Sequence, residues 1–208
     1  MSIYHEPERP ARYTQAFSHT FLFADLVGFT ALAEVEGDER ALEVALGLQR
    51  CVRRLLEEHG GEQVKAIGDG LMLRFGDARP AVLLGVQLVE ELAGEADFLP
   101  VRVGVHTGPA LFSDGDWYGR TVNVAARLCA LAPVGGVIVS ARTREAVGQI
   151  DGIEWSSREL RRLRNVSAPV ATCLASTVAA ADRSRRREPA APHPPAWLGV
   201  RAASEVVA

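Results

Sequence analysis

The stretch VKAIGDGLMLRF, residues 64–75, decides how this chain is read. Two apolar segments, 64–67 and 71–75, flank Gly68-Asp69-Gly70. An Asp-Gly pair between strand-forming runs signals a hairpin, because both residues tolerate the positive φ of a tight turn. The hairpin leaves one chemical question. The Asp69 carboxylate either serves the turn alone or stands at a strand end to bind something.

Upstream, HTFLFADLVGF (19–29) reads as a strand followed by a turn at Gly28. Residues 38–61 form a helix pattern, with Asp38 as N-cap, Ala41, Ala45, Leu48, Val52 and Leu55 at helical spacing, and Gly60-Gly61 as the stop. Downstream comes a second amphipathic helix, 78–92, with Pro80 in its first turn. A strand at 101–112 bends at Gly108-Pro109, and a helix at 121–131 ends before Pro133 and Gly135-Gly136. A short buried strand (137–140), a short helix and two edge strands within 154–176 complete the pattern. The order β-α-β-β-α-β, then α-β, predicts an α+β fold. Its core is ferredoxin-like, βαββαβ, with an αβ extension and helices packed on one face of an antiparallel sheet. Residues 1–17 read as a polar lead-in and 18–176 as the folded domain. Residues 177–208, rich in Ala, Pro and Arg, read as a tail without fixed structure.

With 48% hydrophobic and 24% charged residues, 208 residues can build a core without disulfides or metals. Cys51, Cys129 and Cys173 are odd in number and lack a CxxC pair, so they read as reduced thiols. The net charge of -3 excludes a broadly basic nucleic-acid binder, and the arginines of 183–187 read as a solvated run. No nucleic-acid or membrane partner is expected. The N-terminus lacks a signal-like apolar region, and the longest apolar run, 81–89, is too short to span a bilayer, so a cytoplasmic location is expected.

FADLVGFT (23–30) places Asp25 at a strand end before a glycine-containing turn. Such a carboxylate can hold a divalent cation while the turn amides cradle phosphate, or it can simply cap the turn. Asp25 and Asp69 on neighbouring strand ends repel each other unless a cation stands between them. Oxygen-only ligation suits Mg²⁺ or Mn²⁺ with phosphate as co-ligand, which points to phosphoryl or nucleotidyl transfer. In GDWYGRTVNVAARL (115–128), Asn123 and Arg127 are four apart and share a helix face, opposite Val122, Ala126 and Cys129. An amide and a guanidinium there suit a ribose and a developing oxyanion; on spacing alone they also fit a plain surface pair.

The motifs FADLVGFT, KAIGDG, VGVHTG and DWYGRTVNVAARL resemble, in order and spacing, the catalytic domain of class III nucleotidyl cyclases, from about His19 to Ser176. The resemblance implies that Asp25 and Asp69 hold two Mg²⁺ or Mn²⁺ ions, with Leu26 contributing at the metals. It implies that the backbone of Leu26, Val27, Gly28, Phe29 and Thr30 wraps the triphosphate. It gives Lys65 and Asp116 to adenine, Asn123 to the ribose and Arg127 to the transition state, hence ATP as substrate and 3′,5′-cyclic AMP as product. It further implies a homodimer with two sites at the interface, one chain supplying the aspartates Asp25 and Asp69 and its partner the other four residues. Departures are also visible. The segment before DWYG is short, Pro109 stands where some members carry an arginine, and LRNVSAPV (163–170) has Arg164 and Asn165 in place of a lysine and a glycine. Arg164 is carried over as a further phosphate contact. A catalytically silent nucleotide-binding module of the same fold is the alternative. A palm-type transferase such as a dinucleotide cyclase is a third, though a GGDEF-like signature is absent.

Overall fold

A computed structural model describes residues 17–95 and 97–186. Most of the proposed lead-in and residues 187–208 of the proposed tail lie outside that description.

The chain runs β1 (Ser18–Leu26), α1 (Phe29–Glu36), α2 (Asp38–His59), β2 (Glu62–Ile67), β3 (Gly70–Phe75), α3 (Ala78–Ala93) and β4 (Val101–Pro109). It continues with β5 (Leu111–Ser113), β6 (Asp116–Tyr118), α4 (Arg120–Leu131), β7 (Val137–Ser140), α5 (Ala141–Val147), β8 (Ile153–Trp155), β9 (Glu159–Arg161), β10 (Val170–Thr177) and α6 (Val178–Arg186). Among the described residues the main sheet has the order β2-β3-β1-β4-β7-β10-β8, with β9 also pairing β10. The first four positions are the ferredoxin-like core expected from the sequence. Among the described residues only the β4–β7 pair is parallel.

Side-chain alternation along β1 sorts the helices onto two faces. Leu22, Ala24 and Leu26 join Val103 and Val105 under α2 and α3, where Val44, Leu48, Val52, Ala81, Leu84 and Leu88 complete the larger core. Phe21 faces the other way, with Met72, Ala110 and Ala125. Helix α4 therefore covers the opposite face, which corrects the expectation of helices on one face alone. Gly104 permits that approach: a Cβ there would stand 2.1 Å from the backbone nitrogen of Cys129.

Several local expectations change. The turn at 67–70 pairs Ile67 with Gly70, so its central residues are Gly68 and Asp69, and only Gly68 has positive φ (+61°). Asp38 is the first helical residue of α2 and Gly37 caps it; the acidic Asp38 and Glu39 instead complement the helix dipole. After the turn at Gly28, residues 29–36 form a separate helix, α1, ahead of α2. Residues 111–118 fold back as a separate β5–β6 hairpin through Asp114 and Gly115, both at positive φ. Strand β10 is internal, bonded to β7 on one side and to β8 and β9 on the other, not an edge. Of the proposed tail, Thr177 ends β10 and residues 178–186 are helical, and Thr177 and Arg183 meet Glu90 of α3. Asn165 adopts φ 60°, the left-handed conformation that asparagine tolerates better than most residues. That conformation suits the glycine which the resemblance puts at this position. All three cysteines are free thiols.

Two outcomes follow for stability. Gly104→Ala drives a methyl group into the α4 backbone and should cost about 3 kcal/mol or more, read as a large drop in thermal midpoint. His106, half-buried and bonded to Ser140 at 2.7 Å, has its pKa pushed down from 6.5 to about 4 by burial and then by Arg142 and Arg120. The unfolded chain therefore binds this proton first. The protein should lose of order 3 kcal/mol from this group as pH falls from 6.5 towards 4. Denaturant titrations across that window should show a shallower acid loss for His106→Gln.

Candidate active site

Strand β1 is bonded on both edges, and its end carries the site. Antiparallel register puts Ala24 opposite Leu71 of β3 and Asp25 opposite Arg102 of β4. The β2–β3 turn therefore arrives beside Asp25. A Cβ on Gly70 would lie 3.2 Å from Asp25 Oδ1, and Asp25 and Asp69 line one open pocket of about 430 Å³. Leu26, Gly28, Phe29, Thr30, Ala31 and Arg102 complete its lining.

The pocket combines two carboxylates with a row of donors. Burial, and further the charge of Asp25, raise the Asp69 carboxyl above its ordinary range, while the Leu26 amide donates to it. Arg102 Nε donates to Asp25 Oδ2 at 2.9 Å, its Nη2 donates to the same oxygen, and its Nη1 reaches the Ala130 carbonyl at the end of α4. Helix α1 starts after Gly28 without a side-chain cap and without an acidic residue in its first turn. Its first amides consequently retain capacity for an anion at the pocket. Val27 is placed differently from its neighbours: its amide donates to the Pro100 carbonyl at 2.8 Å.

This donor set fits a divalent metal. Two hard carboxylates and a nearby backbone turn suit Mg²⁺ or Mn²⁺ when phosphate and water fill the remaining positions. Among the described residues no cluster of three or more His, Cys, Asp or Glu side chains could hold a metal alone, which leaves part of the coordination to a ligand. Cys129, behind the pocket, takes no part: burial, then Asp25, pushes its thiol up to about 12, and it donates to the Arg102 carbonyl.

The remaining sequence candidates stand outside the pocket lining. Lys65 of β2 and Asp116 of β6 form an ion pair, and the Lys65 hydrogen bond holds the Asp116 carboxyl below its usual range. Asn123 and Arg127 are exposed on one face of α4. That helix buries Thr121, Val124, Ala125, Leu128 and Cys129, while Val122 and Ala126 are half-buried, so the buried face is rotated from the one expected. Arg164 is exposed in the loop between β9 and β10 and does not line the pocket. Sequence reading missed Arg102 and Ala31. Arg102 was discoverable: it opposes Asp25 once β1 and β4 are paired in register.

Comparison with known proteins supplies the family. Residues 13–166 match the family described as the adenylate and guanylate cyclase catalytic domain. The chain is similar to a pH-sensitive adenylate cyclase of Mycobacterium tuberculosis, 39% identical over 154 residues, covering 73% of this chain and 38% of that protein. It is also similar to an adenylate cyclase of Streptomyces coelicolor, 35% identical over 131 residues, covering 60% of this chain and 34% of that one. The chain thus spans little more than a third of the length of these relatives. Among solved structures, an adenylyl cyclase from P. aeruginosa superposes with a TM-score of 0.69 at 24% identity, covering 77% of this chain and 94% of that one. A guanylate cyclase domain from Catenaria anguillulae, solved in complex with GTP, gives 0.70 at 19%, covering 80% and 99%. At such identities these two speak for the fold.

Proposed function

We propose an adenylyl cyclase activity for this chain, which belongs to the adenylate and guanylate cyclase catalytic-domain family. The observation that carries the choice of ATP is the Lys65–Asp116 pair. An ammonium donor beside a carboxylate acceptor complements adenine, whose edge offers ring-nitrogen acceptors next to an amino donor. Guanine presents a carbonyl and a ring N–H at the corresponding edge and is met less well.

The reaction is in-line attack of the ribose 3′-oxygen on the α-phosphorus of ATP. The new O–P bond closes the 3′,5′ ring, the bond to the β-phosphate oxygen breaks, and pyrophosphate leaves as the 3′-hydroxyl proton is lost. Mg²⁺ or Mn²⁺ held by Asp25 and Asp69, with Leu26 alongside, would lower the pKa of the attacking hydroxyl and offset phosphate charge. The amides of Gly28 and of Phe29 and Thr30 at the start of α1 receive phosphate oxygens, and Arg102 adds a fixed positive charge at the same wall. Asn123 orients the ribose, and Arg127 stabilises charge developing at the α-phosphate.

These groups do not all line one pocket of one chain, and that separation supports a homodimer. Asp25 and Asp69 of one protomer would face Lys65, Asp116, Asn123 and Arg127 of its partner, giving two equivalent sites. Apolar side chains flank the second set: Ile67 on the strand of Lys65 and Tyr118 on the strand of Asp116 are both more than half exposed. No helix among the described residues is long and apolar enough to cross a membrane.

Cyclic AMP formation from Mn²⁺- or Mg²⁺-ATP tests the activity. Asp25→Ala, Asp69→Ala and Arg127→Ala should each lower kcat by about 100-fold or more. Mixing the inactive Asp25→Ala and Arg127→Ala proteins should restore activity, because one of the two sites in a mixed dimer then has every group intact. Absence of restoration in a verified mixed dimer would rule out shared sites. Purine choice has its own test: Lys65→Glu combined with Asp116→Cys should move preference from ATP towards GTP, read as the ratio of kcat/KM values.

A further inference from the structure

Among the described residues, the two strands of the β5–β6 hairpin that carries Asp116 pair with each other and not with the main sheet. Between its junctions with β4 and α4, side chains hold the hairpin to the sheet, and the largest of them is Trp117. Its indole meets the His19 ring at 4.4 Å between centroids, the Phe112 ring at 5.1 Å and the Phe21 ring at 5.7 Å. The Arg74 guanidinium lies 5.0 Å from the same indole. These partners come from β1, β3 and β5, so a single side chain ties the hairpin to two strands of the sheet. Edge-to-face and cation–π contacts of this kind fix orientation as well as distance.

The clasp is itself braced. Arg74 donates through Nε and Nη2 to His19 Nδ1, at 3.1 and 2.8 Å, and pairs with Glu62 at 3.5 Å. At the other end, the backbone N–H of Trp117 donates to Asp116 Oδ1 at 2.8 Å, while Asp116 Oδ2 takes the Lys65 ammonium. Both oxygens of Asp116 are thereby aimed, one of them by the residue whose ring is clamped.

We propose that Trp117 is a positioning residue for purine recognition: its indole, clasped by His19, Phe21, Phe112 and Arg74, holds the β5–β6 hairpin so that Asp116 stands at Lys65. The inference rests on the reading that Lys65 and Asp116 bind adenine, and it concerns how that pair is placed. Displacing a recognition carboxylate by about an ångström weakens the correct base more than the wrong one, since only the correct base depends on it.

The test compares Trp117→Ala, Trp117→Phe and Arg74→Met with the unaltered chain, using ATP and GTP as substrates and thermal unfolding as the check on folding. Trp117→Ala should raise KM for ATP and lower the ATP:GTP ratio of kcat/KM by about tenfold, with kcat changing less than KM. Trp117→Phe, which keeps a ring in the clasp, should stay within about threefold of the parent ratio. Arg74→Met should move the ratio in the same direction as Trp117→Ala, and with Trp117→Phe it decides the matter if Trp117→Ala does not fold. A folded Trp117→Ala or Arg74→Met protein with an unchanged ratio, or an equal loss of kcat on both nucleotides, would overturn the proposal. The Lys65→Glu, Asp116→Cys double variant is measured beside them. If it shifts purine preference while the Trp117 and Arg74 variants do not, the positioning role fails and the adenine reading stands. If it leaves preference unchanged, the adenine reading fails and takes the proposal with it.

Discussion

Strand β1 is hydrogen-bonded along both edges, and its register with β3 and β4 decides where every charge in the pocket stands. Sliding β1 by one residue against either neighbour would turn its core side chains to the wrong face, because strand periodicity is two. Phe21 and Leu22, both fully buried on opposite faces, penalise such a slip twice over. Once they are seated, Asp25 must emerge opposite Arg102, and the β2–β3 turn must deliver Asp69 to the same strand end. The charged pocket is thus a by-product of apolar packing several residues away.

That arrangement concentrates like charge, and the fold offsets it locally. The Asp69 carboxyl is raised by burial first and by the Asp25 charge after it, and its bond from the Leu26 amide works the other way. Arg102 supplies the only full positive charge in the pocket lining. The first turn of α1 adds partial positive charge from its unpaired amides. A pocket built this way favours a ligand that brings both cations and anions, as a metal-bound triphosphate does. In the proposed dimer the complementary recognition groups come from the partner, so the β2–β3 hairpin would serve two sites at once, Asp69 in one and Lys65 in the other.

The features legible in the sequence were those encoded by local periodicity and turn chemistry. The hairpin at 64–75, the helices α2, α3 and α4 and the ferredoxin-like order all follow from such patterns. What escaped depended on through-space relations. Helix α1 is short, buries no residue completely and is separated from α2 by Gly37 alone, so its pattern gives no bounds for a separate helix. The β5–β6 hairpin carries the same Asp-Gly signal as 69–70, but its three-residue strands are too short to show alternation. The placement of α4 on the second face required knowing that Gly104 lies beneath Cys129, a contact no window of sequence contains. Among the candidate site residues, Asp25, Asp69, Lys65 and Asp116 were readable as motif positions. Arg102 sat among the alternating valines of β4 and looked like an ordinary polar position on a strand.

Arg102 has a more specific consequence than charge balance. Both of its hydrogen bonds to Asp25 go to Oδ2, whereas Oδ1 is the oxygen on the Gly70 side, next to the turn that carries Asp69. The guanidinium therefore fixes the carboxylate plane by holding one oxygen and leaves the other directed to the β3 side. A cation held by Asp25 and Asp69 would leave the Arg102 contacts to Oδ2 intact, so the arginine and a metal need not compete. Because Arg102 is also anchored to the Ala130 carbonyl, the orientation of Asp25 is coupled to the C-terminal end of α4. The same helix presents Asn123 and Arg127 on its exposed face, and α4 itself is seated on Gly104. One rigid helix thus ties the aim of a metal-binding carboxylate in one proposed site to the two polar side chains it would offer the other.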